Sequence, residues 1–222
     1  NLLLDEEIWG LNKDAKFTNG IGYFSNDKRY EFNNKAYGVW YHMLRLVKND
    51  PDNNSICEEW KDYNNFLEWY DKNYYSVDDE KMDLLKDIFD RNNKLFSPDT
   101  CVFVPKCIVF MLRTDFLEPY KRRKRKYNLP VGINYGRSGN GGIDSGRYIV
   151  SLSFTELGKS VIIGHTDTLE EAFYFYKHMK EQHIRLYAES VKDKIPQELY
   201  NYMMKFEWND DLTKYTEVKK NG

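Results

Sequence analysis

The sequence predicts an α+β chain in which a helix-rich first half is followed by a three-stranded antiparallel sheet packed on a long helix. Three observations lead there. Apolar residues recur at helical spacing in two stretches before residue 76. Three short runs rich in β-branched and aromatic residues lie between residues 132 and 165, separated by Gly-rich or tight turns. One long amphipathic stretch follows them, and the order of strands and then a helix across them is that of an α+β half. With 222 residues, 41% hydrophobic and 16% aromatic, the chain has ample material for a core and does not have the composition of a disordered one.

The elements follow in order. Residues 1–33 are polar and turn-rich, with "TNGIGYFSND" offering one short strand. In "KAYGVWYHMLRLV" (35–47), Tyr37, Trp40, Met43, Leu44 and Val47 fall on one helical face. "NDPDNNS" breaks that helix. "CEEWKDYNNFLEWYDKNYY" (57–75) reads as a second helix whose inner face is Trp60, Tyr63, Phe66 or Leu67, and Tyr70. "CVFVP" (101–105) is a strand closed by proline, and "KCIVFMLRTDFL" (106–117) a buried helix.

The pattern changes after the basic tract "KRRKRK" (121–126). "GINYGR", "GRYIVSLSF" and "KSVIIGH" are three strands. A helix then runs from "TLEEAF" to "ESVKD", opened by a capping box of Thr168 and Glu171. Its buried face is Leu169, Phe173, Tyr176, Ile184, Tyr187 or Ala188, and Val191. "QELYNYMMKFEW" (197–208) is a last helix after Pro196. The expected organisation is a first domain over 1–120, a basic linker over 121–130, the sheet-and-helix domain over 131–210, and a tail over 211–222.

Charge divides the chain unevenly. The whole carries −2, but residues 1–100 hold 20 acidic and 13 basic residues, and residues 101–222 hold 15 acidic and 20 basic. The second half is the one nucleic acid would meet readily. The three cysteines, Cys57, Cys101 and Cys107, have neither CxxC spacing nor the density of a disulfide framework, and read as buried thiols. No apolar run has the length of a membrane span.

Two sets of residues carry resemblances to known families. Gly132-Ile133, Arg147-Tyr148, Gly158-Lys159, Ile163-Gly164, and Thr168 with Glu170-Glu171-Ala172 resemble the APETALA2-type DNA-binding domain of phage and mobile-element endonucleases. Thr166 stands where that family usually has an aromatic, and "SGNGGIDS" lengthens the first hairpin. "VWYHML", "CEEW", "NNFLEWYDKNYY", "LLKDI" and "NNKLFSPDTCVFVP" resemble the HNH-type nuclease half of the same phage proteins. Leu85 occupies the place of that pattern's first Asp. The resemblance implies a ββα nuclease domain, a double-stranded DNA substrate, a divalent ion (Mg2+ or Mn2+) if the site cuts, and residence in the cytoplasm of an infected bacterial host.

On that resemblance the candidate catalytic residues are Lys86, Asp87 and Asn93, with Asp87 and Asp99 as metal ligands. Asn92 offers a further amide oxygen. Such a site needs a base, hard oxygen ligands and a group that stabilises the developing phosphorane charge. None of the four histidines (His42, His165, His178, His183) lies in the motif. Asp87, Asn92, Asn93 and Asp99 equally read as turn-forming and capping residues of a loop. The candidate DNA contacts are Arg137, Arg147 and Lys159 on the strands, with Tyr135 and Tyr148 as stacking or packing partners, and Lys121, Arg122, Arg123 and Arg125 in the linker.

Three functions therefore stand open: a metal-dependent endonuclease, a descendant that binds DNA without cutting it, and a phage protein whose acidic first half binds a host or CRISPR-type defence protein.

Overall fold

The computed structural model describes residues 18–25, 33–113, 127–137, 144–154 and 158–218. The basic tract, with Lys121, Arg122, Arg123 and Arg125, lies outside the described residues. The chain is α+β and its contacts gather into two units, residues 1–76 with 81–104, and residues 77–80 with 105–222.

The first unit is built on aromatic packing. Helix α1 (Asn34–Asn49) is capped by Asn33, whose side chain accepts from the backbone N–H groups of Lys35 and Ala36. It buries Ala36, Trp40, Met43 and Leu44, one stripe at helical spacing. The Trp40 indole N–H donates to the Trp60 carbonyl at 2.7 Å. The helix expected over 57–75 is instead two pieces, a 3-10 turn (Glu59–Lys61) and helix α2 (Tyr63–Asn73), preceded by strand β1 (Ser55–Ile56). Asp62 causes the break. It sits in extended backbone and its carboxylate accepts from Asn64 N–H at 3.0 Å and Ser25 N–H at 3.2 Å. A short acidic side chain gains more as an N-cap than within a helix.

Helix α2 buries Tyr63, Phe66, Leu67 and Tyr70 against α1. The expected strand in "TNGIGYFSND" is reduced to single bridges, Thr18 with Gly22 and Tyr23 with Asp62. Gly22 permits this approach, since a Cβ there would lie 2.4 Å from Leu44 and from Trp40. Strand β2 (Met82–Leu85) pairs with β4 (Val102–Pro105), and β3 (Leu95–Phe96) runs parallel to β1.

The second unit contains the predicted sheet. Helix α3 (Lys106–Arg113) is its first helix, and the Cys107 thiol meets the Tyr187 hydroxyl at 3.0 Å. Strands β5 (Ile133–Arg137), β6 (Asp144–Phe154) and β7 (Lys159–Thr166) form an antiparallel sheet in that order. Register sets the faces. Ile133, Val150 and Gly164 share one row; Asn134, Ile149 and His165 share the next. A bulge at Ile163, which has no opposite residue between Val150 and Ser151, resets the alternation in β7.

Helix α4 (Leu169–Val191) packs across all three strands on the Val150 side. Its N-terminus has the complete capping box: Thr168 Oγ1 accepts from Glu171 N–H, and Glu171 accepts from Thr168 N–H. Its buried face holds the expected Leu169, Phe173, Tyr176, Ile184, Ala188 and Val191, and also Ala172 and Lys180. Two glycines set how closely it lies. A Cβ at Gly164 would fall 2.5 Å from the Phe175 ring, and one at Gly132 would fall 2.2 Å from Tyr176 and 2.6 Å from the Ser151 carbonyl oxygen.

Helix α5 (Gln197–Met204) is shorter than the sequence periodicity predicts. The chain leaves it because Phe206 and Trp208 must turn back onto α4, where Trp208 packs on Phe173 and Tyr176. A charged clamp holds this return. Glu181 accepts from Lys177 at 2.9 Å and from the Trp208 backbone N–H at 2.9 Å. Lys177 donates to the Trp208 carbonyl, and Arg185 donates to the Met204 and Phe206 carbonyls. The segment after it is also anchored: Asn128 donates to the Lys214 carbonyl, and Val218 N–H donates to the Tyr148 hydroxyl at 2.7 Å.

Burial pushes the Glu181 carboxyl up, but the hydrogen bonds from Lys177 and Trp208 and the charges of Lys177 and Arg185 bring it below the usual glutamate range. A lowered folded-state pKa contributes stability that is present above the unfolded value and is lost as pH falls through the folded one. Glu181→Gln is therefore expected to cost about 1–3 kcal/mol at neutral pH and to flatten the loss of stability of the parent chain below the ordinary glutamate range, as read by urea titrations across pH. Gly132→Ala, at φ +76° and against a backbone oxygen, is expected to lower stability by about 1–3 kcal/mol in the same measurement.

Candidate functional site

The candidate residues fall in two places, the loop that follows β2 and the sheet face opposite α4.

The loop between β2 and β3 is held by Asn93. Its Nδ2 donates to the Lys86 carbonyl at 2.6 Å and to the Leu95 carbonyl at 2.9 Å, and its Oδ1 accepts from Leu95 N–H at 3.2 Å. Both ends of the amide are thus spent on backbone. Lys86 answers by donating to the Asn93 carbonyl at 3.4 Å and by resting over the Phe96 ring, 5.3 Å from its centroid. Lys86 and Asn93 are brought together as the two halves of a loop closure.

The metal ligands fare differently. Asp87 is half-buried, and Asp99 is exposed in the turn before β4. That turn is closed by Thr100 and Cys101 N–H groups donating to the Ser97 carbonyl, and by Thr100 Oγ1 donating to the Leu95 carbonyl at 2.7 Å. Asn92 is exposed, its N–H donating to the Asp90 carboxylate. Asp83 shares Leu85's face, two residues along the same strand.

Among the described residues no three His, Cys, Asp or Glu side chains come together in a way that could hold a metal ion. A hard divalent cation takes oxygen ligands that converge. The motif's carboxylates are Asp87 and Asp99, while the Asn93 amide is a structural staple of the loop. His42 is exposed on α1 and outside the loop.

Thiol chemistry is also disfavoured. Burial pushes the Cys101 thiol up to about 12, and burial likewise raises Cys57 and Cys107. A thiol held above its ordinary value is a poor nucleophile at neutral pH.

The sheet offers more. Along β6 the side chains of Tyr148, Val150, Leu152 and Phe154 point to α4, as the ring contact of Phe154 with His183 on that helix requires. The opposite face carries Arg147, Ile149, Ser151 and Ser153 from β6. Their register partners there are Asn134 from β5 and Ser160, Ile162 and His165 from β7. Every one of these except the two isoleucines ends in a hydrogen-bonding group. Over all three strands there is one carboxylate, Asp144, against Arg137, Arg147 and Lys159.

Arg147 is exposed on this face and is held by Asp167, Nε to Oδ1 at 2.9 Å and Nη2 to Oδ2 at 3.4 Å. Lys159 is exposed at the start of β7 opposite Phe154, so the register puts it on the α4 side of the sheet and not on the face of Arg147. Arg137 takes its expected place at the end of β5. Tyr135 and Tyr148 are packing partners. Their rings meet edge to face at 4.9 Å, and Tyr148 is buried on the helix side with its hydroxyl engaged. Sequence reasoning did not select Asn134, His165 or Asp167. The first two follow from strand alternation once the register is known, whereas no local pattern signals Asp167 as the partner of Arg147.

No helix among the described residues is long and apolar enough to cross a membrane. Comparison with models of known families, with curated proteins and with solved structures finds no match to this chain.

Asn93→Ala removes three hydrogen bonds, taking the Asn93 partner from the Lys86 carbonyl and from the Leu95 N–H while the Leu95 carbonyl keeps Thr100 Oγ1, so it is expected to cost about 1–3 kcal/mol. Asp99→Ala, an exposed position, is expected to cost less than about 0.5 kcal/mol. Chemical denaturation of the two variants against the parent checks the order.

Proposed function

We propose that the protein binds duplex DNA through the uncovered face of the β5–β7 sheet, and that it descends from the HNH and APETALA2-type phage endonucleases without retaining their metal-dependent cutting. The composition of the sheet carries this reading. In a chain with slightly more acidic than basic residues, the three strands hold a single carboxylate, and beside buried Ile149 and exposed Ile162 the side chains on the face opposite α4 are those that hydrogen-bond to phosphate and to base edges.

A sheet is a known geometry for groove reading. Helix α4 stiffens it from behind, so that the face is presented without an ordering cost on binding. The ion pair of Arg147 with Asp167 does not remove that arginine from use. An exposed pair of this kind is worth about 0–1 kcal/mol, less than one good base contact returns. The basic tract over 121–126 adds positive charge that attracts phosphate.

The non-cutting half of the proposal rests on the loop after β2. The amide of Asn93 is committed to backbone, and no trio of metal-ligating side chains forms among the described residues. The first unit then serves as a scaffold.

The test is a mobility-shift titration on a mixed-sequence duplex over a range of KCl, with a nicking assay on supercoiled plasmid in Mg2+, Mn2+ or EDTA. Affinity is expected to fall steeply and linearly in log–log form with salt, and Arg147→Ala to weaken binding and reduce the slope by about 1. Asp87→Ala is expected to bind like the parent, and the plasmid to stay supercoiled in every ion. Nicking that needs metal and disappears in Asp87→Ala would overturn the non-cutting assignment; salt-insensitive or absent binding would overturn the DNA assignment.

A further inference from the structure

We infer that Asp167 is a positioning residue that presents Arg147 to guanine, so that the pair of them, rather than Arg147 alone, sets base preference at one position of the DNA site. The inference rests on the DNA-binding reading of the sheet face and names what that face reads.

A free arginine on a strand samples many rotamers and meets phosphate as readily as a base. Asp167 biases Arg147 toward one of these arrangements. Asp167 accepts from Nε at 2.9 Å and from Nη2 at 3.4 Å, so one full edge of the guanidinium lies side by side with the carboxylate. That geometry leaves Nη1 and the outer N–H of Nη2 without a partner among the described residues. Two parallel donors at the end of a fixed planar fork match the O6 and N7 acceptors on the major-groove edge of guanine. Adenine offers N7 as an acceptor but an amino group beside it, and the second donor is then opposed.

Asp167 can hold this position because it is itself fixed. Its backbone N–H donates to Glu171 Oε2 at 3.2 Å, which places it just ahead of the Thr168 cap of α4. The carboxylate therefore stands on the rigid helix start and not on a free loop. It also carries a charge that repels phosphate. A carboxylate on a DNA-facing surface weakens non-specific binding and is tolerated where it improves discrimination. The Thr168 and Glu171 capping contacts do not involve the Asp167 side chain, so changing that side chain leaves the helix cap intact.

The experiment starts from a pool of duplexes with a randomised core, from which the full-length parent protein selects its preferred site. Parent, Asp167→Asn and Arg147→Ala are then titrated against the selected duplex, the same duplex with 7-deazaguanine at each guanine in turn, and a scrambled duplex. Thermal melts confirm that the variants fold. Removing N7 at one guanine is expected to weaken the parent about tenfold and each variant less than about threefold. Asp167→Asn is expected to bind the scrambled duplex as tightly as the parent or more tightly, because a phosphate-repelling charge is gone, whereas Arg147→Ala binds it more weakly. If Asp167→Asn keeps the parent's full penalty at that guanine, or if the selected site shows no dependence on any guanine N7, the positioning role is overturned while the DNA-binding reading stands. If the parent binds the pool but selects no site, the positioning role is overturned while the DNA-binding reading stands; if it binds no duplex at all, both fall.

Discussion

The second unit depends on how closely α4 lies against its sheet. Glycine at 164 and 132 is what allows it, because Phe175 and Tyr176 occupy the space where a Cβ would stand. Close approach brings the apolar stripe of α4 onto Ile133, Tyr148, Val150 and Leu152, all of them buried. That burial is the main source of stability for a three-stranded sheet, which has too few strands to be stable alone. The capping box and the Lys177–Glu181–Arg185 clamp are secondary to it. One fixes where the helix begins, and the other fixes where the chain returns after α5.

Covering one face so completely determines what the other face can be. Strand alternation assigns each residue of β6 to one side or the other, and the helix side takes the apolar set. The remaining side carries Arg147, Ser151 and Ser153 with buried Ile149, joined across the strands by Asn134, His165, Ser160 and exposed Ile162. The proposed DNA interface is thus the complement of the core, and the same register that builds the core places Arg147 within reach of Asp167.

The first unit follows a different logic. Its core is a set of aromatic rings from α1, α2 and β4, tied by the Trp40 indole to the Trp60 carbonyl and the Tyr75 hydroxyl to the Phe103 carbonyl. Around that core the polar residues of the motif act on backbone. Asn93 closes one loop, Thr100 another, and Asp62 caps α2. Asparagine, threonine and aspartate are the residues a metal site would also use, and in isolation the two roles have the same composition. Geometry separates them, since a ligand must keep its oxygen for the ion whereas a staple gives both ends to the chain.

The sequence by itself determined the fold class, the three strands, the long helix with its Thr168 and Glu171 cap, and most of the buried stripe of that helix. These are local or strongly periodic signals, and 3.6-residue and 2-residue repeats are legible without knowing what lies opposite. It overran α5 and fused the 3-10 turn with α2, because the periodicity of Phe206, Trp208 and Trp60 continues beyond the point where Asp62 and the clamp on α4 turn the backbone. Only the tertiary structure decided the rest. The bulge at Ile163 fixes which residues of β7 face out, and the pairing of Arg147 with Asp167 spans twenty residues. The expenditure of the Asn93 amide on Lys86 and Leu95 likewise depends on a loop closing on itself. Each of these is a contact between residues distant along the chain or a hydrogen bond set by three-dimensional geometry, and neither composition nor spacing encodes where such a partner will stand.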